Sequence, residues 1–124
     1  MTPEGLLYSK DHEWAKIDGD TATIGITDYA QTSLGDIVYV ELPRVGQAVA
    51  EHASIGVVES VKAVSEIFTP VGGEIVAINE ALEKDPAAVN RDAFGEGWMY
   101  KVKLSGGAPP DLMDAAADEK LVAT

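Results

Sequence analysis

Lys62 is the residue of this sequence best placed to do chemistry. It interrupts the strand-like run "GVVESVKAVSEI" (Gly56 to Ile67), with Glu59 three residues before it and Glu66 four after. An alkyl amine with an ordinary pKa near about 10.4 is a nucleophile only when another protein removes its proton. The chemistry open to it is acylation, which removes the charge and turns the side chain into an inert tether. The plainer alternative is a solvated turn lysine. Other candidates are weaker. His12 and His52 have no partners at metal-ligand spacing. The chain has no cysteine, so it offers no disulfide, zinc-thiolate site or thiol nucleophile of its own. It contains no G-x-S-x-G, Walker or dinucleotide-binding pattern.

The stretch around Lys62 reads as a hairpin. Apolar residues occupy its ends (Ile55, Val57 and Val58 before, Ile67 and Phe68 after), and polar ones cluster around the middle. Folding near Val61-Lys62-Ala63 buries the base and lifts the tip into water. That turn lacks Gly, Asn and Pro, which argues against a two-residue primed turn and for type I geometry.

The remaining elements are mostly short strands. His12 to Ile17 and Thr21 to Thr27 flank "DGD", a hairpin signal. "TDYAQTSLG" predicts a short helix capped by Thr27 or Asp28 and closed by Gly35. "DIVYVELP" is a strand ended by Pro43, and strands follow at about Gln47–Ala50, Ile55–Ser60, Ala63–Thr69, Glu74–Asn79 and Trp98–Leu104. Asp85-Pro86 can start a single helical turn. Residues Asp111 to Val122 predict a C-terminal helix with Leu112, Met113, Ala116, Ala117 and Leu121 on one stripe. Strands of this number and spacing predict a mainly β sandwich or barrel with peripheral helices. Trp14, Trp98, Tyr39 and Tyr100 fall in strand patterns, as core or cleft wall. "GDIVYV" (Gly35 to Val40) returns as "GEIVAI" (Gly73 to Ile78), which points to two similar half-folds about a pseudo-twofold, with Lys62 between them.

At 124 residues the chain predicts one domain, 1–124, with the sandwich at about 12–104, large enough to bury over about 60% of its unfolded surface. Nine basic residues against 21 acidic give −12, spread evenly. That field repels phosphate backbones and anionic lipid, so nucleic acid and membrane are poor partners, and basic protein surfaces are favoured. No apolar stretch has spanning length, and the start is unlike a signal peptide. Beginning at Met1 without a transit peptide, the chain is expected in the bacterial cytoplasm, or in the mitochondrial matrix if it is a processed eukaryotic protein.

"ESVKA" (Glu59 to Ala63), inside "GVVESVKAVSEIFTPVGGEIVAIN", resembles the lipoate-attachment region of the glycine cleavage system H proteins. "HEW" (His12 to Trp14), "ATIGITDYAQTSLGDIVYVELP" (Ala22 to Pro43), "GEGWMYKVKL" (Gly95 to Leu104) and "LMDAAADEKLV" agree in the same order, so the resemblance covers nearly the whole chain. Biotinyl domains carry methionines beside their lysine, where this chain has Val61 and Ala63. Lipoyl domains of the 2-oxo acid dehydrogenases usually place Asp before it.

The resemblance implies a carrier and not an enzyme, folded as a barrel-sandwich hybrid of two antiparallel sheets. It implies lipoate attached covalently to Lys62, with Glu59 helping the lipoate-attaching enzyme recognise the tip. The dithiolane would accept the aminomethyl group formed when a pyridoxal-phosphate-dependent glycine decarboxylase acts on glycine. A folate-dependent aminomethyltransferase would remove the methylene unit, and dihydrolipoamide dehydrogenase would reoxidise the dithiol. Glu13 and Glu66 match acidic positions of the cleft in which family members shelter the loaded arm, and are expected to hold its ammonium; solvated carboxylates are the alternative. Ser33 stands where some relatives have a cleft-lining histidine. Two other functions use the same residues: an H-like protein relaying lipoyl or octanoyl groups in lipoate assembly, and an unmodified binding module.

Overall fold

The computed structural model describes residues 7–8, 12–50 and 53–104. The expected C-terminal helix and His52 lie outside the described residues. Two antiparallel sheets share one core. The larger runs in the order β1 (Leu7–Tyr8), β2 (Glu13–Asp18), β3 (Thr21–Ile26), β9 (Tyr100–Leu104), β8 (Gly73–Ile78) and β5 (Ala48–Val49). The smaller holds β4 (Ile37–Glu41), β6 (Ser54–Ser60) and β7 (Val64–Phe68). The chain crosses between the sheets repeatedly, which makes the mainly β barrel-sandwich expected from the strand pattern. Among the described residues, no helix is long and apolar enough to cross a membrane.

Period-two alternation decides what each sheet buries. Ile24, Ile75, Tyr100 and Val102 of the large sheet meet Val40, Val58 and Ile67 of the small one in a single apolar cluster. Each buried Ile or Val contributes about 1.5–3 kcal/mol relative to exposure. Trp14 and Tyr8 form a second cluster with Phe94 and Trp98, and the Trp14 indole N–H donates to the Ala93 carbonyl at 2.9 Å.

Helix α1 (Asp28–Leu34) carries the chain from the large sheet to the small one. Thr27 caps it, its hydroxyl accepting from the Ala30 N–H at 3.2 Å, and Gly35 closes it at φ +83°. Asp85-Pro86 leads into one short helix, α3 (Ala88–Arg91), as expected. A second, α2 (Ala81–Lys84), precedes it where the sequence reading has a loop, because the "EALEK" stretch can bury Leu82. Strand β1 was not expected either; two residues are too short to show a period.

The sequence repeat is structural. "GDIVYV" becomes Gly35-Asp36 and β4, and "GEIVAI" becomes β8, one in each sheet. Both copies open on a positive-φ glycine, Gly35 (+83°) and Gly73 (+155°). Both bulge at the same fourth residue. Ile37 and Tyr39 pair with the consecutive Ser60 and Glu59, leaving Val38 extra, while Ile75 and Ala77 pair with Val102 and Lys101, leaving Val76 extra.

Candidate functional site

Lys62 sits at the tip of the β6–β7 hairpin, exposed along with its neighbours Val61 and Ala63. The strands pair from Ser54↔Phe68 to Glu59↔Val64, and Ser60 and Ala63 close the turn through a Ser60 N–H to Ala63 carbonyl bond of 2.8 Å. Among the described residues His12 alone, glycines aside, has positive φ. Val61, Lys62 and Ala63 therefore turn with ordinary negative φ, which explains how the tip manages without Gly or Asn.

Three contacts make this turn stiff. The Ser60 hydroxyl accepts from the Lys62 N–H (3.3 Å) and the Ala63 N–H (3.1 Å), folding the backbone over one side chain. The Val61 N–H donates to the Asp36 carbonyl at 3.0 Å, tying the tip to the α1–β4 junction. That junction is itself fastened by Asn90 of α3. Its amide oxygen accepts from the Ile37 N–H (2.8 Å), and its NH₂ donates to the Gly35 carbonyl (2.9 Å) and Gln31 Oε1 (2.8 Å). Ser60 and Asn90 were missed in the sequence. Serine at the first position of a turn is a readable signal, but nothing local marks Asn90, whose partners lie more than fifty residues away.

The Lys62 stem leans toward the junction: a Cβ added at Gly35 would lie 3.8 Å from Lys62 Cε. Among the described residues no carboxylate is within ion-pairing distance of its amine. The charge can therefore be neutralised without leaving a buried anion unpaired. An exposed, unpaired amine on a braced bend suits attachment of an acyl cofactor.

The three carboxylates singled out in the sequence separate in space. Glu59 lies half-buried on β6 between Tyr39 and Val64 in register. Glu66 is exposed on β7, accepting from the Ser54 hydroxyl at 3.2 Å. Glu13 is not a solvated carboxylate. It is 3% exposed on β2, and its Oε2 accepts from the Phe68 N–H at 3.1 Å, pinning the last residue of β7 to the large sheet. Burial, with Glu13's charge nearby, holds the Tyr100 phenol well above its ordinary range. Tyr39 is not core: it is 47% exposed, because the bulge at Val38 turns two consecutive side chains outward.

Comparison with known proteins gives the family. The family model described as glycine cleavage H-protein matches residues 6–124. A glycine cleavage system H protein of Opitutus terrae is 55% identical over 117 residues, covering 94% of this chain and 92% of the relative. One of Rubrobacter xylanophilus is 52% identical over 111 residues, covering 90% and 86%. The crystal structure of a glycine cleavage system H protein from Mycobacterium marinum superposes with a TM-score of 0.91 at 38% identity, covering 98% of this chain and 99% of that one. The chain therefore belongs to the glycine cleavage H-protein family, the lipoyl carriers of glycine cleavage.

Proposed function

We propose that Lys62 is the residue through which this chain carries lipoate, and that it visits the glycine decarboxylase, the aminomethyltransferase and dihydrolipoamide dehydrogenase in turn. The observation that carries this is a solitary, exposed, unpaired amine at the apex of a turn braced by Ser60 and Asp36, in a chain of this family. In attachment the deprotonated Nζ attacks the carbonyl carbon of an activated lipoyl group. An amide forms, and the activating group leaves. When bound, the group supplies a strained disulfide that accepts an aminomethyl fragment and two electrons, sulfur chemistry that a cysteine-free chain lacks.

The protein's own residues hold and present that group. Ser60 and the Asp36 carbonyl fix the direction in which the stem leaves the surface, so each encounter samples few orientations. The net charge of −12 favours basic partner surfaces. Of the two carboxylates proposed for the arm's cleft, Glu66 is reachable from solvent and can meet a tethered ammonium. Glu13 acts from beneath, through the β7 backbone it fastens. The similar proteins come from bacteria, which supports a bacterial cytoplasmic setting. In a reconstituted glycine cleavage assay, Lys62→Arg is expected to abolish turnover; wild-type turnover by that variant would reject the proposal.

A further inference from the structure

Both tryptophans of the chain, Trp14 and Trp98, wall one pocket of about 280 Å³ on the outward face of the large sheet. Gly25, opposite Trp14 in register, makes room for that wall: a Cβ there would lie 2.7 Å from the indole. Phe94 packs on Trp14 with ring centres 6.1 Å apart. Trp98 is half-buried and carries the Lys101 ammonium 5.3 Å from its ring centre. The strand register sets Lys16, Thr23 and Lys101 in one row across β2, β3 and β9. In the next row Lys103 shares its place with Asp18 and has Glu74 opposite it, whereas Lys101 has Ala77. Among the described residues neither Lys16 nor Lys101 makes an ion pair. The carboxylate beside the Gly95 rim, that of Asp92, accepts from the Glu96 N–H at 3.1 Å. In a chain with 21 acidic residues against nine basic, two lysines without a facing acid, beside an aromatic wall, stand out.

We propose that this pocket binds a small planar aromatic anion. One ring system packs against Trp98 and Phe94, and a phosphate or carboxylate beside it accepts from Lys16, Lys101 and the Thr23 hydroxyl. The site stands apart from the Lys62 assignment. Three features select this chemistry. Aromatic walls gain most from a flat ring. Two ammonium groups without facing acids take an anion and repel a cation. The volume lies just under the range of about 300–1,000 Å³ usual for small-molecule pockets, so it admits one ring system with a short substituent. The net charge of −12 opposes anions at long range, which disfavours a nucleic acid and leaves a single phosphate or carboxylate, held by contact, as the occupant.

The test is an NMR titration of the full chain that follows its two indole N–H signals, both of which report on the pocket. Adenosine monophosphate supplies a ring with a phosphate, and 4-aminobenzoylglutamate a ring with carboxylates. At least one is expected to shift both signals and saturate with a Kd below about 1 mM, the tighter of the two identifying the anionic group. Adenosine, a ring without an anion, and inorganic phosphate, an anion without a ring, should each bind at least about tenfold more weakly than adenosine monophosphate if phosphate is the group held. Lys16→Gln combined with Lys101→Gln should raise Kd at least about tenfold, as should Trp98→Leu. Neither lysine is buried, so the lysine pair decides the matter even where Trp98→Leu fails to fold. Arg44→Gln, the same change of charge at an exposed position outside the pocket, should match the parent. No shift with either ring-bearing anion up to about 10 mM, or parental affinity in the lysine pair, would overturn the site. An equal loss in Arg44→Gln would overturn it as well, reducing the binding to overall charge.

Discussion

The two copies of the glycine–carboxylate–Ile–Val motif share a backbone and differ in what happens beside them. Both begin on a positive-φ glycine and bulge at the fourth residue, so both expose a valine. Beside β8 the partner strand runs on to Leu104, two residues past Val102, and covers Gly73 in register. Beside β4 the partner strand stops at Ser60, the residue paired with Ile37, and turns at once. The end that presents a lysine is therefore not a different strand design. It is the same design with its neighbour cut short, so that the chain reverses in solvent where its twin would keep pairing.

This comparison is most sharply tested at the two glycines. A Cβ at Gly73 would overlap the Lys103 carbonyl oxygen of the adjoining strand, at a φ that side chains rarely adopt. Gly73→Ala is expected to cost about 3–5 kcal/mol, adding overpacking to backbone strain, measured by chemical denaturation. At Gly35 nothing but the flexible end of Lys62 comes within 4 Å. Gly35→Ala should cost only the strain, about 1–3 kcal/mol. Equal losses at the two sites would mean that the partner strand's extension is not what separates the copies.

The acidic residues sharpen the contrast between the inside and the tip. Glu13→Ala leaves the Phe68 N–H without its carboxylate and is expected to cost about 1–3 kcal/mol. Glu66→Ala, on the exposed face, should stay within about 0.5 kcal/mol. The reverse ranking would show that Glu13 does not hold the end of β7. Ser60→Ala falls between the two, expected to cost about 0.5–1.5 kcal/mol. Its clearer signature is local: faster amide hydrogen exchange at Lys62 and Ala63, whose N–H groups lose their acceptor. Unchanged exchange at both amides would mean the hydroxyl does not brace the turn.

Much of this was legible in the sequence because its causes are local. The Lys62 hairpin announces itself by apolar ends and a polar middle, helix α1 by Thr27 and Gly35, and the small sheet's first strand by "DIVYVELP". The repeat was legible too, although not the bulge that gives it meaning, since an extra residue in a ladder is defined only against its partner. The other omissions are long-range for the same reason. Asn90 serves the tip only because α3 packs across the α1–β4 junction. Glu13 reads as a carboxylate of the arm's cleft, and its burial against the Phe68 N–H appears only once β2 lies beneath the end of β7. Tyr39 reads as core or cleft wall from its strand pattern, and it is kept out of the core because the bulge shifts the alternation by one. Those three positions depend on tertiary pairing that no window of sequence contains.

The most direct measurement is site-resolved intact and peptide mass spectrometry of the chain produced with lipoate and its attaching enzyme. A single lipoyl increment localised to Lys62, and absent from Lys62→Arg, is the expected result. An increment on any other lysine, or none at all under those conditions, would contradict the assignment of the hairpin tip as the place where the cofactor is carried.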